Sequence, residues 1–282
     1  MTIAEQATET GLEQVLSDAD IQQFHEQGFV VVKGALSREE AERYRQRILS
    51  LVPPNLDMPD SWSSWDGRIK PMYTPGNHTF DTPELLPLMT NPKLYAAATQ
   101  LLQSQRLRVM DGSIGITLRN DAHRDTALSQ TLHIDASVPT TEDDFTFGIE
   151  ELQVGGCYYL TDVEPDGGGI HVVPGGHRIV EEEARAAGGG GRHLHGNWKK
   201  ITHLQSQEIN GEAGDFALLH HLMPHGASHN RRPTSRVAYF VRWVREDQTW
   251  NAGKKPADDR YNVQQREAMG DLGRKLFGVE DW

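Results

Sequence analysis

Cysteine is nearly missing from this chain of 282 residues, and Cys157 is the single one. One thiol rules out an intrachain disulfide, and the usage fits a reducing compartment, so a cytoplasmic location is expected. Positive charge is also in short supply: 28 Lys and Arg stand against 40 Asp and Glu, a formal net charge of −12. An acidic balance of this size argues against nucleic acid or an anionic membrane as partner. No apolar run approaches the ~20 residues of a membrane-spanning helix. Residues 1–14 are polar and acidic, with no basic stretch leading into an apolar one. They read as a disordered leader and not as a signal peptide. Internal repeats and linkers are absent too, so residues 15–282 read as one domain with a sizeable core.

The local signals are strongest near the start. Ser17 is placed to cap a helix over residues 18–27, with Gly28 as its terminating glycine and Phe29-Val30-Val31-Val32 as a buried strand after it. Ser37-Arg38-Glu39-Glu40 is a capping box, and its helix is predicted to run to about Leu51, stopped by Pro53-Pro54. Residues 54–82, rich in Pro, Trp, Asp and Gly, read as an ordered loop. Asn91-Pro92 should open another helix to about Leu102.

From Leu107 the pattern changes to short alternating or apolar runs: 114–118, 131–136, 152–160, 170–173, 216–221 and 236–244. Many short strands at such spacing predict an all-β sandwich or barrel. The expected fold class is therefore mainly β with flanking helices. Glu181-Glu182-Glu183 and Gly188-Gly189-Gly190-Gly191 lie within residues 181–200, expected to be a mobile insert and a candidate lid. A terminal helix is predicted over 264–277, weakened by Gly270 and Gly273.

His133-Ile134-Asp135 carries the chemistry. Two residues apart on a strand, His133 and Asp135 point to the same face, as chelation requires. Two imidazoles and one carboxylate on one face of a metal are the usual ligands of non-haem iron oxygenases. A third ligand must come from a distant segment, and His220, His221, His225 and His229 compete for the place. Periodicity alone does not choose between His221 and His225. The remaining histidines of this half, His171, His177, His193, His195 and His203, read as surface or supporting groups.

Taken together, several segments resemble the phytanoyl-CoA dioxygenase-like iron(II)/2-oxoglutarate oxygenases. They are the opening helix and strand from Leu16 to Val32, the triplet His133-Ile134-Asp135, and the glycine turn with its P-G-x-H segment from Asp162 to Arg178. The last is Gly214-Asp215-Phe216 leading to His225 and then Arg236, eleven residues on. The resemblance covers roughly residues 15–245. It implies a double-stranded β-helix, or jelly-roll, core with a cupin-like shape. It also implies iron(II) on His133, Asp135 and His225, with Arg236 binding the distal carboxylate of 2-oxoglutarate. Thr117 and Arg119 are placed to line that cosubstrate site. Three positions depart from the family pattern: Cys157 stands where many relatives have tryptophan, Gly176 replaces a serine, and the serine near the distal histidine is shifted to Ser228.

What the resemblance implies is an O2-dependent dioxygenase that oxidises an unactivated C–H bond of a small molecule, with specialised metabolism as the expected setting. Asp135 favours hydroxylation, since related halogenases replace that carboxylate with a small residue. Desaturation, epoxidation or cyclisation would use the same site. A cupin-like isomerase or hydrolase without 2-oxoglutarate, or a non-catalytic ligand-binding barrel, are the alternative readings. Substrate identity and oligomeric state are left open.

Overall fold

Capping boxes start the first two helices. The computed structural model describes residues 14–51, 68–69, 82–119, 132–135, 147–188, 205–248 and 261–282. Ser17 Oγ accepts from the Asp20 N–H while the Asp20 carboxylate accepts from the Ser17 N–H, opening α1 (Asp18–Gln27). Gly28 ends it in the left-handed region, φ 81°, and donates its N–H to the Phe24 carbonyl. Only glycine suits this position, because a Cβ here would also lie 2.4 Å from His177 Nδ1. The chain passes directly into β1 (Phe29–Val32). Ser37 and Glu40 repeat the box for α2 (Arg38–Leu49), which buries Ala41, Tyr44 and Ile48. This helix stops at Leu49, and Pro53-Pro54 lies outside the described residues.

From the loop expected at 54–82, Arg68–Ile69, forming β2, and Thr82 are described. A short 3-10 turn (Pro83–Leu85) and α3 (Leu86–Met89) lead to α4 (Pro92–Leu102), where Asn91 Oδ1 accepts from the Leu94 N–H. Five of the six predicted runs then appear, in β3 (Leu107–Thr117), β4 (Gln153–Tyr159), β5 (Ile170–Val172), β7 (Phe216–His220) and β9 (Arg236–Arg245), and β6 (Gln207–Ile209) and β8 (His225–Ala227) are strands outside those runs. They build two antiparallel sheets: β1-β7-β4-β9-β3-β2, and a smaller β6-β5-β8.

Alternation along the strands divides the core in two. In β9, Val237, Tyr239, Val241 and Trp243 face the helices, whereas Ala238 faces the space between the sheets. In β7, Phe216 and Leu218 go to the helical side, and Ala217 and Leu219 go to the interior. A side-chain period of two therefore gives the large sheet one face for the helices and one for the site. Tyr159 ties the sheets together across the interior. Its hydroxyl donates to the Ile209 carbonyl at 2.7 Å and accepts from the Ile170 N–H at 3.2 Å.

Two expectations need correction. The segment 131–136 is not a strand in its described part: among residues 132–135, His133 forms only an isolated antiparallel bridge with His225. The insert expected at 181–200 begins as a helix, α5 (Gly176–Ala186). Its Val180 and Ala184 are buried, and Glu181 pairs with Arg185 one turn on, so the acidic run is the outer face of an amphipathic helix. Residues 189–200, with most of the glycine run and the lid reading, lie outside the described residues, as do 1–13 of the expected leader. The terminal helix, α6 (Val263–Leu276), kinks at Gly270, as its glycines suggested. No helix among the described residues is long and apolar enough to cross a membrane.

Candidate metal centre

The bridge between His133 and His225 brings the distant pieces of the site together. His133 N donates to the His225 carbonyl, and His225 N donates to the His133 carbonyl, each at 2.8 Å. Asp135 N donates to the His221 carbonyl at 3.2 Å. This backbone pairing sets the His133-Ile134-Asp135 triplet against the β7–β8 connection. Asp135 Oδ1 is then 3.6 Å from His133 Nε2, and Oδ2 is 3.5 Å from His225 Nε2. The two imidazole rings lie 4.4 Å apart at 47°. One ligand atom from each of His133, Asp135 and His225 falls within 4.8 Å of the others, the only such group found among the described residues.

His225 and His221 part company because the chain changes sheets between them. β7 ends at His220, and β8, in the smaller sheet, starts at His225. His221 therefore sits in the turn, where its Nδ1 accepts from the Gln153 N–H at 3.2 Å. His225 instead turns inward, and its Nδ1 lies 2.8 Å from the Met223 carbonyl. A carbonyl only accepts, so Nδ1 carries the proton and Nε2 is left facing Asp135 as a ligand atom. Burial alone would raise the Asp135 carboxyl and lower the His225 imidazole. Their mutual attraction reverses both, holding Asp135 well below the usual carboxylate range and His225 above its ordinary value. Arg242, Nη2 at 3.1 Å from Asp135 Oδ2, adds to the effect on Asp135.

Arg236 opens β9 with 1% of its surface exposed. Its Nη2 donates to the Thr117 hydroxyl at 2.6 Å, and Thr117 faces it in register across β3. Its Nε and Nη1 have no hydrogen-bond partner among the described residues. A buried cation with two unanswered donors is costly unless a ligand answers them, and a planar fork of N–H groups suits a carboxylate. Asn230 braces the same corner by donating to the Thr117 carbonyl at 3.1 Å. The glycine turn packs against it: a Cβ on Gly168, φ 82°, would lie 2.9 Å from Thr117 Cγ2. Arg119 follows just past the strand end, bridged to Asn230.

The departures from the family pattern have local causes. Cys157 is fully buried in the interior cluster, in register with Phe240 of β9, whose partly buried ring packs against that cluster. Gly176 lets Pro224 approach, since a Cβ there would be 2.9 Å from Pro224 Cδ. The single Ser228 hydroxyl proton is shared between the Glu208 carboxylate at 2.7 Å and the Gly169 carbonyl at 2.9 Å, so it ties the glycine turn to β6. His171 meets Ser206, and His177 Nε2 meets the His25 carbonyl at 3.1 Å. His193, His195 and His203 lie outside the described residues. Sequence reading missed Arg242 and Phe240. Even spacing from Arg236 along an alternating strand was the signal that would have found them.

The sequence profile of the phytanoyl-CoA dioxygenase (PhyH) family matches residues 24–238. A Dictyostelium discoideum protein assigned by name to the phytanoyl-CoA dioxygenases is 23% identical over 256 residues, 78% of this chain and 73% of its own. Among solved structures, the non-haem α-ketoglutarate-dependent carbocyclase SnoK from nogalamycin biosynthesis superposes with a TM-score of 0.58. It is 20% identical and covers 82% of this chain and 84% of its own. HygX from Streptomyces hygroscopicus, with nickel, 2-oxoglutarate and hygromycin B bound, gives 0.56 at 17% identity, over 82% and 88% of the two chains. The epimerase SnoN with Fe3+, α-ketoglutarate and nogalamycin RO gives 0.53 at 18% identity, over 81% and 83%. These likenesses establish the jelly-roll fold, and the family profile spans well over half of the sequence. The chain belongs to the phytanoyl-CoA dioxygenase family of iron(II)/2-oxoglutarate-dependent oxygenases.

Proposed function

We propose that His133, Asp135 and His225 hold iron(II), that Arg236 binds the distal carboxylate of 2-oxoglutarate with Thr117 bracing it, and that the enzyme hydroxylates an unactivated C–H bond of a small molecule. The observation that carries this reading is the buried Arg236 guanidinium, whose Nε and Nη1 lack partners among the described residues. The three ligands alone would suit zinc as well, but a zinc hydrolase has no use for such an arginine. When bound, iron and 2-oxoglutarate supply O2 activation coupled to oxidative decarboxylation of the keto acid.

The chain's own residues supply the rest. The Met223 carbonyl keeps the His225 Nε2 lone pair turned toward the metal position. Cys157, Tyr159, Ala217 and Ala238 give an apolar interior that excludes water. Asp135 fills the carboxylate position, which supports hydroxylation over halogenation. HygX and SnoN bind hygromycin B and nogalamycin RO, respectively, and this supports a small-molecule substrate from specialised metabolism here.

Anaerobic addition of iron(II) and 2-oxoglutarate tests the reading. A visible metal-to-ligand absorption band is expected, absent in His225→Ala, and succinate release should follow when candidate substrates and O2 are supplied. A folded wild-type protein without the band would overturn it.

A further inference from the structure

Arg242 lies six residues beyond Arg236 on β9. Even spacing on an extended strand puts both side chains on the interior face, with Ala238 and Phe240 between them. Only 13% of the Arg242 side chain is exposed, and its Nη2 sits 3.1 Å from Asp135 Oδ2. The adjacent strand makes room for it. Gly155 of β4 is its register partner, and a Cβ there would lie 3.0 Å from Arg242 Cγ. The arginine stem thus runs through a slot that glycine leaves open, and the slot delivers the guanidinium to one oxygen of the carboxylate. Asp135 Oδ1 is turned toward His133 Nε2, at 3.6 Å, while Oδ2, besides meeting Arg242, lies 3.5 Å from His225 Nε2.

The count of metal positions makes this contact consequential. Three protein ligand atoms and the two donor atoms of a keto acid leave an octahedral iron with a single position for O2. A carboxylate that gave the metal both oxygens would fill that position. We propose that Arg242 is a positioning residue that holds Asp135 to one metal-binding oxygen and so keeps the O2 position open. This inference rests on the iron and 2-oxoglutarate reading above.

Nitric oxide, which binds the vacant position of iron(II) and reports by EPR, is the probe. Arg242→Met is expected to form the anaerobic 2-oxoglutarate band like wild type, yet to bind nitric oxide at least about tenfold more weakly, the lower end of supporting-residue effects at metal sites. Arg242→Lys should recover part of the loss. Gly155→Ala, which crowds the arginine stem without removing its charge, should move nitric oxide binding in the same direction. An Arg242→Met protein that keeps the band and binds nitric oxide as wild type does overturns the inference and leaves the proposed function standing. Loss of metal, band and nitric oxide together in a folded Arg242→Met protein also overturns it, because Arg242 would then serve metal binding alone. A wild-type protein with no band overturns the proposed function and this inference with it.

Discussion

Thr117 and Arg236 face each other in register across β3 and β9, and the guanidinium Nη2 donates to the threonine hydroxyl at 2.6 Å. That bond fixes the plane of a buried cation whose Nε and Nη1 have no partner among the described residues. Thr117→Val keeps the shape and removes the acceptor. A hydrogen bond to a charged group contributes about 1.5 kcal/mol, so the variant should bind 2-oxoglutarate about tenfold more weakly, with Thr117→Ser close to wild type. The KM for 2-oxoglutarate measures this, and an unchanged KM in Thr117→Val would sink the assignment.

His221 supplies a pH-dependent prediction. Burial, with the Arg242 charge nearby, pushes its imidazole down to about 3. The unfolded chain takes up this proton below about pH 6.5, and the folded protein does not until far lower. Its contribution to stability is therefore complete above that pH and lost as the pH falls. By pH 5 the loss amounts to roughly 2 kcal/mol. His225, which Asp135 holds above its ordinary value, acts in the opposite direction. The diagnostic is thus a comparison of denaturant unfolding at pH 7.5 and 5.0, with a chelator present. His221→Gln should lose less stability between the two than wild type does, and equal losses would contradict the account. The same variant should keep the anaerobic absorption band that His225→Ala lacks.

Cys157 should be chemically silent. Burial pushes its thiol up to about 12, so almost no thiolate exists at neutral pH and no reagent reaches it. Titration with a chromogenic disulfide should label the native protein on the order of a hundredfold more slowly than the unfolded one. Rapid labelling of the native state would mean that the interior opens easily.

Gly156 and Gly34 both carry positive φ, 154° and 56°, but their surroundings differ. A Cβ on Gly156 would lie 1.8 Å from the Ala217 carbonyl oxygen, inside the β4–β7 ladder, whereas one on Gly34 meets nothing within 4 Å. Gly156→Ala should therefore cost more than about 3 kcal/mol, and Gly34→Ala only about 1 kcal/mol of backbone strain. Denaturant midpoints give the comparison. Similar costs would show that the close approach of β4 and β7 is not tight.

Local chemistry made the helix ends legible. Ser17, Ser37 and Asn91 each satisfy an N–H three residues ahead, so those starts could be read with no knowledge of the rest. The acidic run at 181–183 was misread because its partner Arg185 and its buried neighbours Val180 and Ala184 matter only once a core lies beneath the helix. Residues 132–135 read as strand from their alternation, yet their only ladder contact is to His225, a partner 92 positions from His133 that no local pattern can nominate.

By itself, the sequence determined the acidic charge, the single thiol, the alternation that makes β9 two-faced, and the spacing of His133, Asp135, His225 and Arg236. Those are properties of residue type and spacing. The tertiary structure decided which histidine joins Asp135, because the change of sheet between His220 and His225 sends His221 to Gln153 and His225 to the interior. It also placed Arg242 on Asp135 and left Arg236 with two donors unanswered among the described residues. Each of these depends on which strands lie side by side, and that follows from packing two sheets over one shared interior.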